Sequence, residues 1–274
     1  MLGRKIVALL VCAGCIAGAP APGARADETP KEPEKWHGPF GGTFNANVTV
    51  TSDYSYAGIS NNALQPAYQF GLDYRTPDLI TEKPLWLYLT GWGSNVALPN
   101  GPGLEVDISG GVKVKLTDKW RIDLGYIRVA YPGQPAALGY DYGDFGLNTD
   151  YDFGVATLSG RLRASPNSFG NSGHTFNKRG MVTVPLPFVH LPAGRLGDAV
   201  TFKANASLGN LWVERYLAYG IPSSDYWYWQ IGLVASAFGF DMTVAYTDTS
   251  ISPEGCGYTG YCAGRVFVSL TKTF

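Results

Sequence analysis

RVFVSLTKTF, residues Arg265–Phe274, alternates almost without a fault. Val266, Val268, Leu270 and Phe274 fall on one parity, interrupted by Lys272 alone. Arg265, Ser269, Thr271 and Thr273 fall on the other, with Phe267 as its exception. Successive side chains of a β-strand point to opposite faces, so a period of two predicts a strand with one apolar and one polar side. Ten residues do not say what covers the apolar side. An edge strand of a soluble β-sandwich and a wall strand of a membrane barrel carry the same pattern.

The pattern repeats upstream. Leu104, Val106, Ile108, Gly110, Val112, Val114 and Leu116 oppose Glu105, Asp107, Ser109, Gly111, Lys113 and Lys115. A polar turn, Thr117-Asp118-Lys119, leads into Trp120, Ile122, Leu124 and Tyr126 against Arg121, Asp123 and Gly125. Val200, Phe202, Ala204, Ala206 and Leu208 alternate with Thr201, Lys203, Asn205, Ser207 and Gly209. Runs of this kind lie near 43–56, 65–75, 84–96, 103–116, 119–131, 140–149, 153–165, 177–188, 199–211, 226–236, 238–248 and 264–274. Pro185 and Pro187 predict an edge position or an early end for the run at 177–188. The chain allots about 19 residues to each of about twelve strands, enough for a tilted membrane strand of ~10 residues plus a connection. Short connections expected at 117–119, 149–152 and 236–238 alternate with longer ones near 165–177, 212–225 and 249–263, as in an up-and-down barrel. Trp86, Trp92, Trp120, Trp212, Trp227 and Trp229 lie near strand ends, which suits interfacial girdles.

Composition agrees. Tyr 17, Phe 13, Trp 7 and Gly 35 are high, and helical periodicity is missing. Outside the first residues no apolar run reaches the ~18–20 residues of a membrane helix. A chain like this crosses a bilayer only as a closed barrel, which leaves no backbone edge in lipid. Arg4 and Lys5 precede an apolar run, Ile6–Ala17, and Ala24-Arg25-Ala26 follows; this predicts a signal peptide over 1–26. Residues 27–41, opening on DETPKEPEK, predict a flexible periplasmic tail, and 42–274 the barrel domain. The net charge of −1 gives nucleic acid nothing to bind.

SDYSYAGIS (Ser52–Ser60), QPAYQFGLDY (Gln65–Tyr74), GWGSNV (Gly91–Val96), LEVDISGG (Leu104–Gly111) and the YPG at Tyr131–Gly133 occur in an order and spacing that resembles the proteobacterial Gcw_chp family, also called TorF-type porins. The resemblance spans the first half of the chain after its leader. Ala57 stands where the family usually carries a basic residue. What the resemblance implies is an outer-membrane location and a porin role. The terminal strand likewise resembles the signal read by the outer-membrane barrel assembly machinery, with Phe274, Leu270, Val268 and Val266 as its residues.

Other constellations point away from chemistry. His37, His174 and His190 form no HExxH pattern and lie far from any cysteine, so neither a metal site nor a cofactor is expected. Ser172-Gly173-His174 suggests a membrane-embedded hydrolase, but there is no G-x-S-x-G motif, and an enzyme is not expected. Asp141, Asp144, Asn148, Asp150 and Asp152 offer oxygen ligands for calcium without the EF-hand spacing. The simpler account is a polar strand face that meets water or pairs with the following strand, where Arg161 and Arg163 stand. Cys12 and Cys15 leave with the leader, and Cys256 and Cys262 are expected to form a disulfide across Gly257–Tyr261.

Two functions remain open. One is a porin-like channel for passive diffusion of small hydrophilic solutes, with outer-membrane lipid around it. Charge on the lipid face costs ~2–4 kcal/mol for Arg or Lys at mid-membrane. Glu105, Asp107, Lys113, Lys115, Arg121, Asp123, Arg161, Arg163, Lys203 and Asp241 are therefore predicted to line the pore. The other is a non-conducting barrel with a structural, adhesion or surface-binding role, its lumen plugged by its own charged pairs.

Overall fold

The computed structural model describes residues 38–80, 84–189, 191 and 199–274. The expected leader, most of the expected tail, His37 and His190 lie outside them. Fourteen strands are β1 (Thr43–Thr51), β2 (Ser55–Tyr56), β3 (Ile59–Ser60), β4 (Ala67–Arg75), β5 (Leu85–Asn95), β6 (Leu104–Lys115), β7 (Trp120–Ala130), β8 (Tyr142–Asp152), β9 (Thr157–Ser165), β10 (Thr175–Pro185), β11 (Thr201–Val213), β12 (Asp225–Ala237), β13 (Phe240–Thr249) and β14 (Arg265–Thr273). One α-helical turn, α1, covers Tyr216–Tyr219, and short 3-10 turns cover Pro39–Gly41, Ala136–Leu138 and Phe169–Asn171. Strands β2 and β3 make a small hairpin. The other twelve close into one antiparallel barrel in sequence order.

Closure is made by the quoted stretch. Val50 pairs with Leu270 and Val48 with Lys272, so β14 meets β1 and neither keeps a free edge. Thr49 Oγ1 and Thr271 Oγ1 lie 2.7 Å apart across this seam. Polarity then decides the solvent. Val266 is 63 % exposed and Ile231 61 %, whereas Glu105 and Asp144 are each 3 % exposed. Apolar side chains outside and carboxylates inside invert the order of a water-soluble domain and match a barrel wall set in lipid. Lys272, the polar intruder on the outer parity, sits at the strand end. Its Nζ lies 4.5 Å from the Phe240 ring and donates to the Phe238 carbonyl at 2.7 Å, so the ammonium rests at the rim.

Several boundaries differ from expectation. Strand β8 runs on to Asp152, and the turn is 153–156, because Gly154 (φ +85°) supplies the left-handed residue and Asp152 Oδ1 accepts its N–H. Strand β10 begins at Thr175 and stops at Pro185, whose missing N–H ends the ladder. At the end of the barrel holding Phe274 (the terminal end), the connections 116–119, 153–156 and 238–239 are short, but 76–84 and 186–200 are not. The opposite, loop end carries 52–66, 96–103, 131–141, 166–174, 214–224 and 250–264. Trp120, Trp212, Trp227 and Trp229 share the outer parity. Trp86 and Trp92 do not: exposed Leu87 and Leu89 occupy the outer parity of β5, which turns both indoles inward.

Candidate functional site

The inner face divides at mid-height. In the terminal half, Lys113 Nζ lies 3.9 Å from Asp123 and 4.4 Å from the Tyr88 ring, and Arg121 lies 3.8 Å from Asp150. Lys115 pairs with Asp118 of the turn at 3.0 Å. Asp241 accepts from Ser236, and Lys203 stands between Pro185 and Val234 in the ladder. Two adjoining cavities of about 420 and 220 Å³ open here, and Tyr88, Lys113, Asp123 and Asn148 line both. The wall makes room for Tyr88 through a cross-strand glycine row, Gly111–Gly125–Gly146. A Cβ on Gly125 would overlap the Tyr88 hydroxyl.

The loop half is filled by chain. Instead of extending β1, residues 52–66 turn into the barrel as the β2–β3 hairpin. Ala57 (φ +48°) and Gly58 (φ +83°) make its tip, both in the left-handed region that a tight hairpin requires. A side chain on Gly58 would meet Thr249. The hairpin is tied at its root: Arg265 Nε donates to Asp53 Oδ2 at 2.7 Å, and Ser60 Oγ donates to Asp53 Oδ1 at 2.6 Å. Arg265 Nη1 also donates to the carbonyls of Gly58 and Tyr261 at 3.0 Å. Tyr54 and Tyr131 donate to the two oxygens of Glu105, at 2.7 and 2.8 Å. Burial first, and the Glu105 carboxylate second, hold both phenols well above their usual pKa, so they remain donors. Asn177 Nδ2 donates to the Tyr56 hydroxyl at 3.2 Å.

Apolar packing completes the closure. Ala57, Leu211, Val213, Ile221, Tyr226 and Tyr228 form one buried cluster; Val96, Val129, Tyr131, Tyr140 and Tyr142 form another. Ala57 belongs to the first cluster, where a charge would be desolvated. A cavity of about 470 Å³ remains among the loops, walled by Tyr56, Leu98, Phe169, Tyr219, Ile221 and Tyr261. The disulfide Cys256–Cys262 is present and borders it.

Thus the predicted lining residues all lie on the inner parity, but they do not form one site. Glu105 is taken up by tyrosines, four of the others sit in the terminal-half ion pairs, and Arg161 and Arg163 have no carboxylate within 4.0 Å among the described residues. Asp150 of β8 accepts from Ser159 of β9 and meets Arg121 at 3.8 Å, while Asp141, just before β8, meets Arg128 at 3.4 Å; neither acid lies within 4.0 Å of Arg161 or Arg163. No group of three His, Cys, Asp or Glu among the described residues could hold a metal ion. Ser172 is fully buried, while His174 beside it is exposed. Val266, Val268, Leu270 and Phe274 share the outer face. Sequence reasoning missed Asp53, Tyr54, Tyr56, Tyr131 and Arg265; two tyrosines beside an acid in SDYSY were the available signal.

A family profile described as a bacterial protein of unknown function (Gcw_chp) matches residues 36–274. The chain belongs to the Gcw_chp family. No curated protein matches it. Among solved structures it is similar to a membrane protein crystallised in meso, with TM-score 0.50 and 9 % identity over 84 % of this chain and 83 % of that one. It is also similar to the KdgM porin (TM-score 0.48, 7 % identity, 84 % and 99 %) and the NanC porin (0.47, 11 %, 84 % and 98 %). At these identities the likeness is one of fold alone, and this Gcw_chp member is a closed twelve-stranded antiparallel β-barrel with an apolar outer face.

Proposed function

We propose that this Gcw_chp protein is a narrow channel for passive diffusion of small hydrophilic solutes, with its terminal end in the periplasm and its hairpin on the outer side. The observation that carries this reading is the terminal half of the lumen, where charges of both signs border two adjoining cavities. Fixed charges in a constriction set ion preference through the field they project into it. The hairpin makes the outer half the narrow part. On this reading Phe274 and its outer-face neighbours carry the assembly signal, and truncating Phe274 lowers membrane yield more than synthesis.

One observation favours a second reading, a non-conducting barrel: the hairpin and its two apolar clusters fill the loop half. Refolded protein in a planar bilayer separates the two. The channel reading expects discrete conductance steps from the intact chain, and larger steps when 53–61 is replaced by a short turn. Steps from the shortened chain alone support the plugged barrel. No steps from either overturn the channel.

A further inference from the structure

Arg161 and Arg179 stand directly opposite each other in the β9–β10 ladder, both on the inner parity. Like charges placed so destabilise a sheet, and a carboxylate between them is the usual remedy. None is there. Along the same level of the wall come Asn148 on β8, Gly209 on β11 and Tyr228 on β12, an amide, a bare backbone and a phenol. The nearest inward acids of β8 are set elsewhere, Asp150 one inward step toward the terminal end and bonded to Ser159, Asp144 two steps toward the loop end. Arg179 Nη2 donates to Ser207 Oγ at 3.0 Å, which fixes its guanidinium without neutralising it. The Nε atoms of both arginines are buried and have no partner among the described residues. Arg163, one inward step higher and opposite Asn177, lies in the field of buried Asp144 and half-buried Asp107, so its charge is offset and it stands outside the Arg161–Arg179 pair.

We propose that Arg161 and Arg179 form a binding site inside the barrel for a small oxyanion such as a carboxylate or phosphate group. Guanidinium groups present planar pairs of N–H donors that match two oxygens of such an anion, and a shared anion removes the repulsion between them. The site lies just beneath the hairpin, where the lumen narrows, so a bound oxyanion sits at the floor of the closure. It deepens the channel reading by naming the charge class of the solute and rests on that reading only for transport; binding needs no current.

Isothermal titration calorimetry of the refolded barrel in neutral detergent, with inorganic phosphate and with malonate as probes, tests the site. Saturable binding is expected, weakened at least tenfold by Arg179→Gln and left unchanged by Arg128→Gln, an exposed arginine outside the lumen. Arg161→Lys, which keeps the charge and loses the planar fork, is expected to weaken binding several-fold, and it serves if Arg179→Gln does not fold. No saturable binding, or equal loss in Arg128→Gln and Arg179→Gln, overturns the site. Binding without any conductance in a bilayer leaves the site standing and overturns the channel reading alone.

Discussion

The two halves of the lumen are built from the same alternating strands, yet they are filled by different means. In the terminal half the inner parity is charged, and Lys113–Asp123 and Arg121–Asp150 stand as loose pairs at 3.8–3.9 Å. Lys115 closes to 3.0 Å on Asp118 of the turn, and cavities remain beside these pairs. In the loop half the inner parity turns aromatic and aliphatic, and a hairpin from outside the wall packs onto it. One ion pair there is tight and buried, Asp53–Arg265 at 2.7 Å. The difference teaches that closure of this barrel is a packing problem solved by loops. The space left among the loops is walled mainly by apolar and aromatic residues, whereas the space in the terminal half is bordered by charge.

The largest effect is expected where the closure is tied. Arg265→Ala removes the partner of a buried carboxylate, and breaking such a pair costs about 3–5 kcal/mol because the remaining charge is stranded. The hairpin should detach while the wall persists. Protease cleavage within 53–61 would become faster, with the heat-modified gel shift still present. Equal cleavage rates in the two proteins would show that the apolar clusters alone hold the hairpin.

Next comes the boundary between the halves. Arg161 has no carboxylate within 4.0 Å among the described residues, whereas Arg163 lies in the field of buried Asp144 and half-buried Asp107. Arg161→Glu should therefore move the zero-current potential in a KCl gradient toward cation preference without loss of the folded band, and adding Arg163→Glu should weaken that band. A destabilised barrel with unchanged selectivity from Arg161→Glu alone would mean that this arginine serves the wall and not the lumen.

Much of the wall was legible in the sequence, because a strand's period of two survives any partner. LEVDISGGVKVKL and TFKANASLG announced which residues share a face, and their charges announced which face is inside. What packs into the barrel was not legible. The partner of Arg265 lies 212 residues away, and no local pattern reports a contact across a closing seam. SDYSYAGIS reads as strand and turn in one dimension, and only in space does it leave β1 and enter the lumen. The expectation of a tryptophan girdle went astray at Trp86 and Trp92 because nearness to a strand end was weighed above parity.

A smaller effect is expected in the terminal half. Gly125→Val places a branched side chain where the Tyr88 ring lies against the wall, and overpacking of this kind costs about 1–3 kcal/mol. Tyr88 should swing into the lumen and reduce single-channel conductance. An unchanged current with lowered thermal stability would place the cost in the wall only.

The smallest effect is expected at the disulfide. Cys256 and Cys262 are only six positions apart in sequence. The constraint that a cross-link puts on the unfolded chain grows with the loop it closes, and for so short a loop it is worth roughly 2 kcal/mol at most. The folded loop is held independently as well: Thr249 Oγ1 donates to the Cys262 carbonyl at 2.8 Å, and Arg265 binds the carbonyls of Tyr261 and Ala263 on either side of it. Those contacts persist when the sulfurs are reduced. Reduction should therefore lower the unfolding temperature slightly and leave conductance steps and hairpin protection as they were. If reduction instead released the hairpin as Arg265→Ala is expected to, the disulfide and not the buried ion pair would be what ties the loop half shut.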